Sequence, residues 1–274
     1  MGRQHACVAL LMWLMCVKVA LATTAAYHTN FRNRTAVLAE WYPQEECTHC
    51  DNEKDRNQCT NMTLSATSFD HDGMTHTTRA GNSSAGTACP HFTDHVCSSG
   101  HMTWRPSLRY GNFSILARFF PGTPAQVNTS TAFIGLDSAS NSASITMGFH
   151  GAGWLGNTLK PAANKTAGPH QFQTGVYCCG HRGRDRGQTP AINTAEDMST
   201  SFNRYGLLWT PDLVEWRFNG AVVLRFTNKS NIPSERMQLR LHTRSGYCDR
   251  MPAGTSFNAT FKSFSYTPYT SLMS

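Results

Sequence analysis

The chain has 274 residues, of which 15% are charged and 40% hydrophobic, and a formal net charge of +7. No basic cluster with interleaved aromatics appears, so this mild charge excludes a nucleic-acid binder and leaves a soluble surface that can still meet anionic glycans. The length suits one large all-β domain, and no internal repeat or linker divides it.

Arg3 and His5 precede an apolar stretch from Ala6 to Ala22 that closes on Val19-Ala20-Leu21-Ala22. This is the layout of a secretory signal peptide over residues 1–22. The stretch is slightly shorter than the roughly 20 apolar residues of a membrane span, and Lys18 interrupts it, so a retained anchor helix is the weaker alternative. The expectation is a secreted, extracellular protein with a net charge of +5 once Arg3 and Lys18 are removed, and with no stable membrane span after cleavage.

Cys7 and Cys16 leave with the signal, and Cys47, Cys50, Cys59, Cys89, Cys97, Cys178, Cys179 and Cys248 remain. In an oxidising compartment this even set predicts up to four disulfides, with about a hundred pairings open. Cys47-x-x-Cys50 with Cys59 and scattered histidines admits a zinc reading, but the secretory signal favours bridges, and neither a structural metal nor a cofactor is expected. Sequons begin at Asn33, Asn61, Asn82, Asn112, Asn128, Asn164, Asn228 and Asn258. Several of them, not all, are expected to carry N-linked sugar at exposed positions.

Residues 23–99 are rich in Cys, Thr, Ser, Asn and Asp and read as disulfide-tied loops with the first strands of the same domain. From residue 100 to 274 short runs of Phe, Ile, Val, Leu and Trp alternate with turn signals. Strands are predicted over Tyr110 to Phe119, Thr131 to Leu136, Ser144 to His150, Tyr205 to Thr210, Leu213 to Phe218, Ala221 to Thr227, Met237 to Thr243 and Phe257 to Tyr266. No amphipathic helix of useful length competes. Asn219-Gly220 between two apolar runs is the signature of a two-residue hairpin. So many antiparallel strands require two sheets to bury their apolar faces, which gives a sandwich or jelly roll.

Three segments carry a resemblance to a known family. They are Tyr110-Gly111-Asn112-Phe113 with Arg118 and Pro121-Gly122-Thr123; Phe202-Asn203-Arg204-Tyr205 through Trp209-Thr210-Pro211-Asp212 and Val214-Glu215-Trp216 to Asn219-Gly220; and Pro233 with Met237 to Leu241. In that order they resemble glycoside hydrolase family 16, whose members share a concanavalin-like β-jelly roll of two antiparallel sheets. The resemblance covers roughly residues 100 to 266 and leaves a disulfide-rich N-terminal extension unaccounted for.

The resemblance places the family's catalytic Glu-x-Asp-x-Glu strand on Ser144-Ile145-Thr146-Met147-Gly148. Ile145, Met147, Phe149 and Gly151 keep the inward alternation, which turns Ser144, Thr146, Gly148 and His150 to the cleft. Ser144 then stands for the nucleophile, Thr146 for the assisting aspartate and Gly148 for the general acid/base. Retaining hydrolysis needs two carboxyl groups about 5 Å apart, and hydroxyls neither ionise at neutral pH nor protonate a leaving oxygen efficiently. Asp137, the one carboxylate between Ala132 and Trp154, cannot fill both roles.

What the resemblance leaves is a sugar groove. His150 and Trp154 are candidates for touching a glycan, with His242 and Arg244 on a neighbouring strand, although packing or a solvated strand face explains each equally simply. Trp104, Trp209 and Trp216 are assigned to the core. No Gly-x-Ser-x-Gly elbow supports another hydrolase chemistry, and the basic loop from Gly180 to Gly187 reads as solvated surface. The expected function is a secreted, non-catalytic binder of a polysaccharide or glycan, β-glucan-like or sulfated. The alternatives are a glycosidase or transglycosylase with relocated carboxylates, and a structural or protein-binding glycoprotein.

Overall fold

A computed structural model describes residues 26–48, 60–80, 97–120, 130–140, 142–150, 171–178, 187–188, 192–193, 196–245 and 254–272. The first half supplies mostly short strands: Tyr27–Thr29 (β1), Trp41–Pro43 (β2), Glu46–Thr48 (β3), Thr60–Met62 (β4), Thr67–Asp70 (β5), Gly73–Ala80 (β6), Cys97–Ser99 (β7) and His101–Leu108 (β8). The middle adds Gly111–Arg118 (β9), Ser130–Ser138 (β10), Ser144–His150 (β11), Gln171–Tyr177 (β12), Gly187–Gln188 (β13) and Ile192–Asn193 (β14). Last come Asn203–Trp209 (β15), Val214–Phe218 (β16), Ala221–Phe226 (β17), Met237–Ser245 (β18) and Ser256–Pro268 (β19).

One sheet runs β17-β16-β15-β9-β19-β6-β7-β4-β3, with β1 on β19 and β5 on β6; the other runs β13-β12-β11-β10-β18-β8-β2, with β14 on β12. The expected two-sheet jelly roll is what forms. The pleat sorts the side chains: in β9, Phe113, Ile115 and Ala117 are buried while Asn112, Ser114, Leu116 and Arg118 are half-buried on the outward face. The predicted hairpin forms with Phe218 opposite Ala221. Asn219 and Gly220 take φ of 49° and 88°, the left-handed pair that a primed turn needs and that Asn and Gly tolerate best.

The described residues before residue 100 are woven into both sheets. Tyr27 of β1 and Trp41 of β2 reach Trp104 and Phe264 in one aromatic cluster, with ring centroids 4.6 Å apart for Tyr27–Trp104 and 4.9 Å for Trp104–Phe264. The only α-helix among the described residues, Arg34–Glu40 (α1), is too short to persist unaided. Asn33 caps it, accepting from the Ala36 N–H at 3.1 Å, and Val37 pins it to the core. Trp104, Trp209 and Trp216 are all buried as expected.

Among the described residues, polar links cross between the sheets. Trp216 Nε1 donates to the Thr146 carbonyl at 3.1 Å. Thr78 and Ser99 of the larger sheet meet Thr243 of the smaller one in a buried hydroxyl cluster, with Thr78 Oγ1 donating to Thr243 Oγ1 at 3.0 Å. Cys97 and Cys178 are each disulfide-bonded. The side chain of Cys47, and Cys50, Cys59, Cys89, Cys179 and Cys248, lie outside the described residues, as do the signal segment and residues 180–186.

Candidate functional site: the outward face of the smaller sheet

Because one face of the smaller sheet is committed to the core through Ile145, Met147, Leu136, Ile134, Leu239 and Leu241, the alternate residues face outward. Strand register sets them in three rows. Ser144 lies beside Asp137, then Gln238, then Ser107; Thr146 beside Gly135, then Arg240, then Thr103; Gly148 beside Phe133, then His242, then His101. The β11 strand has the predicted boundaries, and its alternation places Ser144 and Thr146 half-buried on this face while Ile145 and Met147 go inward.

Gly148 does more than lack a carboxyl. Its φ is +159°, and a Cβ placed there would lie 2.1 Å from the Ala132 carbonyl oxygen and 3.1 Å from the Phe133 Cα. The clash is with backbone, so no side-chain rotamer relieves it. The local geometry of β10 and β11 is therefore one that any larger residue at this position disrupts.

Among the described residues of these rows, the carboxylate is Asp137. Burial pushes its carboxyl above the usual range, against the opposing pull of the Arg240 charge and a hydrogen bond from Ser144. Arg240 Nη1 stands 3.8 Å from Asp137 Oδ2. Another carboxylate, Glu46 of β3 in the larger sheet, sits 3.9 Å from His101 Nδ1. That contact is not an ion pair, because burial, with the Arg240 charge adding to it, drives His101 down to about 3 and leaves the ring neutral. Asp137 and His101 stand four residues apart along the strands and two strands apart across them, roughly 13 Å by 10 Å on strand geometry.

His242 is half-buried and packs its ring against Phe133 at 5.1 Å and His101 at 5.3 Å. Arg244 continues β18 and pairs with Thr131, which also pairs with His150. The side chains of His150 and Arg244, and Trp154 as a whole, lie outside the described residues. Sequence reasoning stopped at His242 and Arg244, although the same two-residue period extends back to Arg240 and Gln238. His101 and Phe133 were missed because only cross-strand pairing brings them to His242. Among the described residues no three His, Cys, Asp or Glu side chains gather to hold a metal. No helix among them is long and apolar enough to cross a membrane.

Of the sequons, Asn33, Asn228 and Asn258 are exposed and Asn112 is half-buried on an outward face. Asn61 is 1% exposed, and a glycan has no room there in the folded chain, in line with the expectation that not every sequon is used. Asn82, Asn128 and Asn164 lie outside the described residues.

Two sheets packed in this order, with an outward polar face spanning β8, β18, β10 and β11, define a jelly-roll sandwich of the carbohydrate-active type. The chain belongs to glycosyl hydrolase family 16, whose model matches residues 44–260. No curated protein sequence matches it. Among solved structures it is similar to the laminarinase catalytic domain from Thermotoga maritima MSB8, with TM-score 0.65 and 15% identity over 88% of this chain and 96% of that one. It is likewise similar to Bacillus licheniformis β-glucanase, with TM-score 0.63 and 14% identity over 89% and 99%. A third likeness is to Crh5 transglycosylase in complex with NAG, with TM-score 0.60 and 16% identity over 90% and 85%. At these identities the likeness is one of fold. The family match begins upstream of residue 100, so it takes in much of the Cys-rich first part.

Proposed function

We propose that this protein is a secreted, N-glycosylated, non-catalytic member of family 16 that binds a polysaccharide or glycan on the outward face of the smaller sheet. One observation carries the reading. At the positions matching the family's three carboxyl residues, β11 offers two hydroxyls and a glycine whose backbone lies against Ala132. Chemistry by the family's route needs a nucleophile and an acid/base, each of which contributes a factor of roughly 10² to 10⁴ or more.

The rest of the face suits recognition. Gln238, Arg240 and His242 stand in line along β18, offering donors to sugar hydroxyls and to sulfate or carboxylate substituents. The printed names of the similar structures, a laminarinase, a β-glucanase and a transglycosylase, support a glucan-like ligand.

A second reading, a glycosidase with relocated carboxylates, is favoured by one feature: Asp137 hydrogen-bonds Ser144 and has a raised pKa, as an acid catalyst would. Glycan arrays followed by isothermal titration with the purified chain decide between them. Saturable saccharide binding without reducing-sugar release from β-1,3-glucan, mixed-linkage glucan, xyloglucan or carrageenan is expected. The absence of any saccharide ligand overturns the proposal, and so does turnover abolished by Asp137→Asn.

A further inference from the structure

On the outward face of the larger sheet, β5, β6, β9 and β19 border a hollow of about 500 Å³, within the roughly 300–1,000 Å³ of small-molecule sites. Its rim is polar: Thr75 and Thr77 from β6, Asn258 and Thr260 from β19, Asp72 from the turn between β5 and β6, and Arg118 from β9. The hydroxyls both donate and accept, the carboxylate accepts and the guanidinium donates. Neighbouring strands are about 4.8 Å apart and like-facing residues about 6.6 Å apart, so these groups repeat on the scale of a pyranose ring. Buried Phe120 and Phe257 lie beneath, with ring centroids 4.4 Å apart.

Asn258 is exposed, stands in register opposite Thr77 and lines the hollow itself. It opens the sequon Asn258-Ala259-Thr260, and Thr260 is part of the same rim, its Oγ1 3.0 Å from Thr75 Oγ1. The sequence thus sets a glycan attachment point inside a cavity whose chemistry matches sugar.

We propose that Asn258 carries an N-linked glycan whose first sugar residues fold back into this hollow and occupy it. Attachment joins Asn258 Nδ2 to the anomeric carbon of an oligosaccharide supplied by a lipid diphosphate donor. The donor's carbon–oxygen bond breaks, lipid diphosphate leaves and the amide gives up one proton. A tether of this length holds the sugar at an effective concentration of about millimolar or higher, so individually weak hydroxyl contacts suffice to fill the hollow. A free saccharide lacks that advantage here, which is why the occupant is the protein's own glycan and not the ligand of the opposite sheet. The inference rests on the secretory reading of the chain.

The test uses the full chain expressed in a glycosylating secretory host. Glycopeptide mass spectrometry reads occupancy at each sequon, and peptide N-glycosidase digestion reads the rate of release at Asn258 before and after denaturation. Release from the folded protein is expected to be at least about 10-fold slower than from the denatured chain, and Thr77→Arg, which fills the hollow and keeps the sequon, is expected to remove most of that protection. Thr77→Lys serves as the second variant, with an unchanged unfolding midpoint as the check on folding. Release unaffected by folding, or by either folded variant, overturns the proposal. So does a bare Asn258 in a product glycosylated at other sequons, which leaves the secretory reading intact; sugar at no sequon overturns both.

Discussion

Trp216 Nε1 donates to the carbonyl oxygen of Thr146 at 3.1 Å, and through that bond a core residue of the larger sheet holds β11 of the smaller one. Trp216 is fully buried, so Trp216→Phe removes a donor across the sheets together with part of the ring's packing in the core. Trp216→Phe is expected to lower stability by about 2 kcal/mol, read as a shift in denaturant midpoint with an unchanged m-value. A midpoint within error of the parent would show that the bond does not join the sheets energetically.

Restoring the family's carboxyl residues should not restore chemistry. In Ser144→Glu, Thr146→Asp, Gly148→Glu, the last substitution drives a Cβ to 2.1 Å from the Ala132 oxygen unless the strand shifts. Gly148→Ala alone is expected to destabilise by about 1–3 kcal/mol, and the triple variant to release no reducing sugar from β-1,3-glucan. Measurable turnover with native stability would mean that β11 relaxes freely.

His242 is expected to contribute to saccharide binding through its position on the β18 row. His242→Ala should weaken a ligand found by array about 5- to 10-fold, roughly 1 kcal/mol, with the unfolding midpoint little changed because the ring is half-buried. Titration calorimetry checks it, and an unchanged Kd would remove His242 from the site.

Two buried histidines make the fold acid-sensitive. Burial lowers His76 to about 3, with the His101 charge adding to the effect, and His101 is lowered to about 3 by burial and by Arg240. Both are neutral in the native state above that value, whereas the unfolded chain takes up protons below about 6.5. Stability is therefore flat with pH above that range and falls between about 6.5 and 3, by up to about 1.4 kcal/mol per pH unit for each ring. His76→Phe, which keeps the ring beside Phe261, is expected to flatten the slope of denaturant stability measured from pH 7 to pH 4.

Glu215 acts in a lower window. Burial pushes its carboxyl up, but hydrogen bonds from Arg225 and Arg217, at 2.7 and 2.6 Å, and their charges outweigh burial and hold it below the usual range. A depressed carboxyl stabilises fully above the unfolded value near 4.5 and loses that contribution as pH falls through the native one. Glu215→Gln should cost about 2 kcal/mol at pH 7, and progressively less as pH falls through the native value, in parallel urea titrations.

The alternation of β9, β11 and β18 and the Asn219-Gly220 turn were legible in the sequence because pleat and turn chemistry are local. That Ser144 to His150 holds no carboxyl side chain is a plain reading of the residues, while its match to the family's catalytic strand rests on the resemblance alone. Strands were expected before residue 100 but not located, because runs of three or four residues such as β1 to β4 carry no usable period; β1 and β6 are placed by pairing with β19, β2 by β8, and β3, β4, β5 and β7 by pairing among the first-half strands themselves. The juxtapositions of Asp137 with Arg240, and of His242 with His101 and Phe133, were likewise invisible, since each spans strands far apart in the chain.

The sequence by itself determined the strand faces, the core tryptophans and the positions of the sequons, all of which follow from residue type and a two-residue period. Only the tertiary structure decided that Gly148 is locked against Ala132, that Asn61 is buried and that Asn258 opens into a hollow. Those facts depend on which strands become neighbours, and neighbourhood is set by packing two sheets on one core.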